Sequence, residues 1–210
     1  MEHINYLVCT HDAMGFAEKA VKRMADFFFA LIGIVLLSPI YLIIIIMLKA
    51  QRNGPAIFSQ ERIGKRGKPF TIYKFRTMKG GIEDKEPLLN AVVDKETSTT
   101  LERFLRRHHL DELPQLWNVI RGDMSIVGPR PEREYFINQI MEQDHDYELI
   151  YEMRPGLTSE ATLYNGYTDT MEKMLKRLHM DIHYLENRTL LLDAKIIFDT
   201  ARSIITGKKF

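Results

Sequence analysis

Two acids stand side by side in "LDELPQLWN", Asp111 and Glu112, three and two residues before Pro114. Adjacent carboxylates ahead of a helix can complement its dipole and do nothing more. The same placement lets them share one Mg²⁺, a cation that takes carboxylates, waters and phosphate oxygens. It also lets one carboxylate attack phosphorus and form an acyl phosphate. A free carboxylate facing a diphosphate is repelled, so that chemistry needs cations close by. The chain offers Lys74 and Arg76 in "TIYKFRTMK", Arg103, Arg106 and Arg107 just before the acids, and Arg130 in "GPRPE". Lys74 and Arg76 alternate with Tyr73 and Phe75, so a strand puts both cations on one face, as a diphosphate clamp or as a solvated face. Pro129 and Pro131 restrict the backbone around Arg130. A stiff Arg is a good anion ligand because little freedom remains to be lost, although the same prolines also suit a purely structural turn. His179 and His183 lie four apart on a predicted helix but lack a Glu or Cys constellation, which favours a surface or packing role over zinc. His108-His109 reads as a surface or interface pair.

These residues need elements to hold them. Asn53-Gly54-Pro55 predicts a turn, Ala56 to Gln60 a short strand, and Gly64 to Pro69 a basic loop. Phe70 to Met78 alternates and is rich in β-branched and aromatic residues, which predicts a second strand ended by Gly80-Gly81. Residues 82–98 are polar and read as a loop. An amphipathic helix is expected from about Leu101, and another from Pro114 to Ile120 with Gly122 as its stop. Residues 133–152 predict one helix broken at Pro155-Gly156. Residues 169–187 and 189–206 predict two amphipathic helices.

Ahead of all these lies "ADFFFALIGIVLLSPIYLIIIIMLKAQ", with no charge between Asp26 and Lys49. As a straight helix, Phe27 to Leu48 would reach about 33 Å, the thickness of a bilayer core. It starts late for a signal peptide and no small-residue cleavage site follows, so it is expected to remain as an anchor. Basic residues flank both ends, Lys19, Lys22 and Arg23 before and Lys49, Arg52 and Arg62 after. Short basic flanks prefer the cytoplasmic side, and only a helix that enters and returns satisfies both ends. Pro39 deprives the Val35 carbonyl of its partner, and the Ser38 hydroxyl is placed to cover it. A kinked spanning helix is the alternative.

Length, at 210 residues, suggests one domain with an appendage. The expected organisation is a surface segment over 1–18, an anchor over 19–50 and a catalytic domain over 51–210. A formal net charge of +1 speaks neither for nor against nucleic acid, and Cys9, alone, excludes an intrachain disulfide. The expected class is α+β and mainly helical: a re-entrant membrane helix kinked at Ser38-Pro39, amphipathic interfacial helices, a small β element and a cytosolic catalytic domain.

The order of "KRMADFFFALIGIVLLSPI", "GPAIFSQERIGKRGKPFTIYKFRTM", "LRRHHLDELPQLWNVIRGDMSIVGPRPE", "RPGLT" and "LENRTLLLDAKIIFDT" resembles the bacterial sugar transferases, small monotopic phosphoglycosyl transferases, over nearly the whole chain. The resemblance implies transfer of a sugar phosphate from a UDP-sugar to undecaprenyl phosphate, release of UMP and a need for Mg²⁺. It implies Asp111 as nucleophile, Glu112 as metal holder, Pro129-Arg130-Pro131 as a nucleotide-binding motif and Ser38-Pro39 as the point of membrane return. Lys74, Arg76 and Arg107 are the further substrate-binding candidates. The expected partners are the UDP-sugar, undecaprenyl phosphate and membrane lipid, with a homo-oligomer and downstream glycosyltransferases as candidates and no nucleic acid. The expected place is the bacterial inner (cytoplasmic) membrane, catalytic domain toward the cytosol. Direct transfer without a covalent intermediate and a non-catalytic membrane scaffold are the rival readings. After "RPGLT" the run "SEATLYNGY", Ser159 to Tyr167, departs from the family pattern, which leaves the sugar open.

Overall fold

The computed structural model describes residues 12–51, 54–77, 99–166 and 168–206. Cys9, Arg52, Asn53, Gly80-Gly81, the polar run 82–98 and Tyr167 lie outside those residues, as does most of the expected surface segment.

Helix α1 runs from Phe16 to Ala50 and continues through Ser38-Pro39. Among the described residues it is the one helix long and apolar enough to cross a membrane. The Ser38 hydroxyl donates to the Val35 carbonyl at 2.8 Å, the oxygen that Pro39 leaves without an amide partner. Strands β1 (Ile57–Ile63) and β2 (Pro69–Phe75) form an antiparallel hairpin that pairs Ile57 with Phe75 and Phe58 with Lys74. Its connection is a 3-10 turn, Lys65–Gly67, with Arg66 at φ 60°. Helix α2 (Thr100–Arg107) starts on a capping box in which Thr99 and Glu102 serve each other's backbone amides. A 3-10 turn, Leu110–Glu112, then leads into α3 (Gln115–Arg121), where Pro114 is the cap and Gly122, at φ 91°, ends the helix.

Strands β3 (Ser125–Val127) and β4 (Gly156–Thr158) pair in parallel. Between them the expected single helix is two pieces, α4 (Glu134–Met141) and a 3-10 segment, His145–Glu152. The break has a local cause: the Asp144 side chain accepts from the Asp146 amide at 3.0 Å and caps the second piece. Helix α5 (Glu160–Asn165), unforeseen from sequence, starts on Ser159. Helices α6 (Met171–Asn187) and α7 (Leu190–Thr206) fall within the two expected amphipathic segments.

The main core gathers Val127 from β3, Phe136, Ile137 and Ile140 from α4, Tyr147 and Ile150 from the 3-10 segment, Met153 just after it, Leu178 and Tyr184 from α6 and Ile196 from α7. Two smaller clusters seat α1 on this body. Ala30 joins Ile72, Leu116, Val119 and Met124, while Ile44 and Leu48 join Ala56, Phe75 and Leu105. A Cβ at Gly33 would stand 3.2 Å from Leu116 Cδ1, so α1 and α3 approach closely there. The opposite side of α1, with Phe28, Phe29, Val35, Leu36, Leu42, Ile43 and Ile46, is exposed.

Candidate active site

Asp111 and Glu112 sit in the 3-10 turn immediately before α3. The turn is closed by His109, whose backbone is left-handed at φ 52° and whose carbonyl accepts from the Glu112 amide at 3.3 Å. Strand β2 reaches the same place because Asn118 ties it to α3. The Asn118 Nδ2 donates to the Thr71 carbonyl at 2.7 Å, and its Oδ1 accepts from the Tyr73 amide at 3.3 Å. One residue on, Lys74 Nζ lies 2.9 Å from Glu112 Oε1. Arg130, between its two buried prolines, places Nη2 3.0 Å from the same oxygen.

The acids therefore differ. Burial pushes Glu112 upward, but Lys74 and Arg130 together outweigh it and hold its carboxyl well below the usual carboxylate range. Among the described residues Asp111 has no such direct contact. Burial and then the Glu112 charge push it up to about 6, against the opposing pull of Lys74 and Arg106. One acid is thus fixed as an anion by two cations, and its neighbour carries a charge that further positive charge would stabilise. His109 belongs to this neighbourhood more than its surface reading implies: burial, then Arg130 and Lys74 against Glu112, hold its imidazole below the ordinary value.

Of the other expected ligands, Arg76 is turned away. Its guanidinium donates to the carbonyls of Leu48, at 3.2 Å, and Pro55, so it closes the end of α1 against β2. Arg107 is exposed in the last turn of α2. Pro131 offers its carbonyl to Arg62 at 3.3 Å, and Pro129 to the Gly156 amide at 2.8 Å. Ser38 and Pro39 lie on α1, apart from the acids in sequence. His179 pairs with Asp144 at 3.0 Å, on the surface.

Sequence reasoning missed the layer behind Arg130. Glu132 accepts from Arg62 at 3.4 Å and Arg177 at 3.1 Å. Arg130, Glu132, Arg177 and Asp181 line a cavity of about 20 Å³, room for a water. Arg177 and Asp181 are four apart on α6, a spacing that signals a shared face but not what it faces.

Among the described residues no group of three or more His, Cys, Asp or Glu could hold a metal unaided. A Mg²⁺ bound by one or two carboxylates and completed by water and substrate phosphate needs no such group. Glu112 Oε2 and the Asp111 carboxylate suit that mode, since Lys74 and Arg130 occupy only Oε1.

A family model described as bacterial sugar transferase matches residues 17–207. The chain is 36% identical over 187 residues to a UDP-N-acetylgalactosamine-undecaprenyl-phosphate N-acetylgalactosaminephosphotransferase of Aeromonas hydrophila, covering 89% of this chain and 44% of that protein. It is 39% identical over 185 residues to a UDP-glucose:undecaprenyl-phosphate glucose-1-phosphate transferase of Escherichia coli (strain K12), covering 87% and 40%. With the exopolysaccharide production protein PSS of Rhizobium leguminosarum bv. phaseoli it shares 35% over 199 residues, covering 92% and 100%. The chain thus spans less than half the length of the first two relatives.

Proposed function

The chain belongs to the bacterial sugar transferase family, and from that premise we propose that it transfers a sugar 1-phosphate from a UDP-sugar to undecaprenyl phosphate, releasing UMP, as the first membrane step of a surface glycan. The observation that carries this reading is the division of labour at Asp111-Glu112. Glu112 is clamped by Lys74 and Arg130, and the adjoining Asp111 is buried with no cation paired to it among the described residues.

Asp111 Oδ attacks the sugar-bearing phosphorus. The bond from that phosphorus to the bridging oxygen breaks, and the oxygen leaves with its electron pair on UMP. An oxygen of undecaprenyl phosphate then attacks the same phosphorus, the bond to Asp111 breaks and the carboxylate is restored. Arg130 and Lys74 hold Glu112 and add positive potential where the diphosphate gathers charge. A Mg²⁺ held by Glu112 and Asp111 would supply neutralisation of the diphosphate.

The acceptor lies in lipid and the donor in water, so the site must stand at the boundary. The contacts of α1 support this. Near its start, Lys22 pairs with Asp193 at 2.6 Å, and Asp26 accepts from Ser125 at 2.7 Å. Near its end, Leu48 accepts from Arg76. Both ends rest on one polar body, although Lys22 to Leu48 would span about 40 Å if straight. Were the ends in opposite compartments, that body and its ion pairs would have to pass through hydrocarbon. The reading is therefore a monotopic protein of the inner membrane, α1 dipping at Ser38-Pro39 and the catalytic body in the cytosol.

The test is UMP release from a panel of UDP-sugars with undecaprenyl phosphate and Mg²⁺. Release by the natural protein and at least a 10³-fold loss in Asp111→Asn are expected. Failure to release UMP from any member refutes the reading.

A further inference from the structure

One side chain of α1 touches both chain segments that carry the acid–cation pair. Tyr41 stands two residues after Pro39. Its hydroxyl donates to the carbonyl of Leu113, the residue after Glu112. Leu113 also closes the acid turn, its amide donating to the Leu110 carbonyl at 3.3 Å. The Tyr41 ring meets Phe75, the residue after Lys74, edge-on at 5.4 Å between centroids and 66° between planes. Phe75 is 1% exposed, so the ring contact fixes a buried point of the backbone next to Lys74. The 2.9 Å contact between Lys74 and Glu112 is therefore braced from both sides by one residue.

The two halves of α1 are held differently. Before Pro39, Lys22, Arg23 and Asp26 fasten the helix to α7, α3 and β3. After it, Tyr41, Ile44 and Leu48 pack on the elements that bear the site. At the junction a side-chain hydroxyl, not a backbone amide, holds the Val35 carbonyl. The second half is thus the part whose placement the helix itself restrains least, and its own contacts with the site must set it.

We propose that Tyr41 is a positioning residue of the acid–cation cluster: the half of α1 after Pro39 holds Lys74 against Glu112 through the Tyr41 hydroxyl and ring. The proposal rests on the transferase reading for its kinetic consequence, since small misplacements of groups around a reacting phosphorus cost rate steeply.

The experiment is a double-mutant cycle of Tyr41→Phe and Lys74→Met on the full chain in phospholipid vesicles, read by UMP release and by thermal unfolding. Tyr41→Phe keeps the ring and removes the hydroxyl. It is expected to lower kcat roughly three- to tenfold and to leave KM for the UDP-sugar within about twofold. In the Lys74→Met background the same change is expected to add little to either the kcat loss or the fall in unfolding midpoint, because the contact it braces is gone. Additive effects in both readouts would overturn the proposal, as would a raised KM at unchanged kcat. A natural protein that releases no UMP would sink the transferase reading instead, and the unfolding cycle alone would then decide whether Tyr41 braces the pair.

Discussion

Glu112 receives two cations on one oxygen, and this asymmetry separates its role from that of Asp111. Removing either cation leaves a buried carboxylate short of a partner. Lys74→Met is expected to cost about 1–3 kcal/mol, measurable by urea unfolding. Arg130→Lys keeps the charge but loses the planar fork, and should lower turnover by about tenfold or more in the UMP assay. Asp181 gives a pH signature. Burial, with Arg177 opposing and Glu132 assisting, pushes its carboxyl up to about 7 from the ordinary 3.8. Between those values the folded protein keeps a proton that the unfolded chain has released. Stability should therefore fall as pH rises from about 4 to 7 and level off above. Asp181→Asn should flatten that slope, leaving below about pH 6 the part that Asp111 contributes with the same sign, and raise stability at pH 8 by about 1–3 kcal/mol, read from urea midpoints at pH 5 and 8. An unchanged slope would show that Asp181 is not its source.

Helix α3 and strand β2 carry the site as a unit, and Asn118 is the tie between them. Asn118→Ala leaves the Thr71 carbonyl and Tyr73 amide without that partner. It is expected to cost about 2–3 kcal/mol and to lower kcat, since Lys74 follows Tyr73 directly. The parallel pair β3–β4 depends on bare backbone. A Cβ at Gly156 would fall 2.1 Å from the Gly128 amide nitrogen, so Gly156→Ala should fail to accumulate as folded protein. The second strand was legible from its alternation and the first only as a short run. The expected Ala56 to Gln60 and Phe70 to Met78 stand as Ile57–Ile63 and Pro69–Phe75, with Met78 outside the described residues. Helix α2 was legible from its amphipathic period and α3 from Pro114 and Gly122. Strands of three residues carry no period to read, and the meeting of Gly128 with Gly156 is a long-range fact. The split of 133–152 turned on a single capping side chain, Asp144, inside a segment whose composition suits a helix. At the site, the acids and Lys74 and Arg130 were legible as chemistry. That Arg76 faces the end of α1 and that Tyr41 and Asn118 brace the cluster follow from tertiary contacts, which local sequence does not encode.

At the scale of the molecule, α1 presents one face to the body along its length and an apolar face outward. With Cys9 replaced by Ser, single cysteines at Phe16 and at Ala50 should both react with an impermeant thiol reagent only from the cytosolic side. Labelling from opposite sides would mean that the helix crosses. The proposed transfer passes phosphorus through Asp111 at that boundary. Its most direct measurement is incubation of the vesicle-bound protein with a UDP-sugar labelled at the sugar-bearing phosphate, followed by peptide mapping. The label should map to the peptide at Asp111 without acceptor and leave it when undecaprenyl phosphate is added. UMP release at full rate with no label retained on Asp111, or with full activity in Asp111→Asn, would contradict the account.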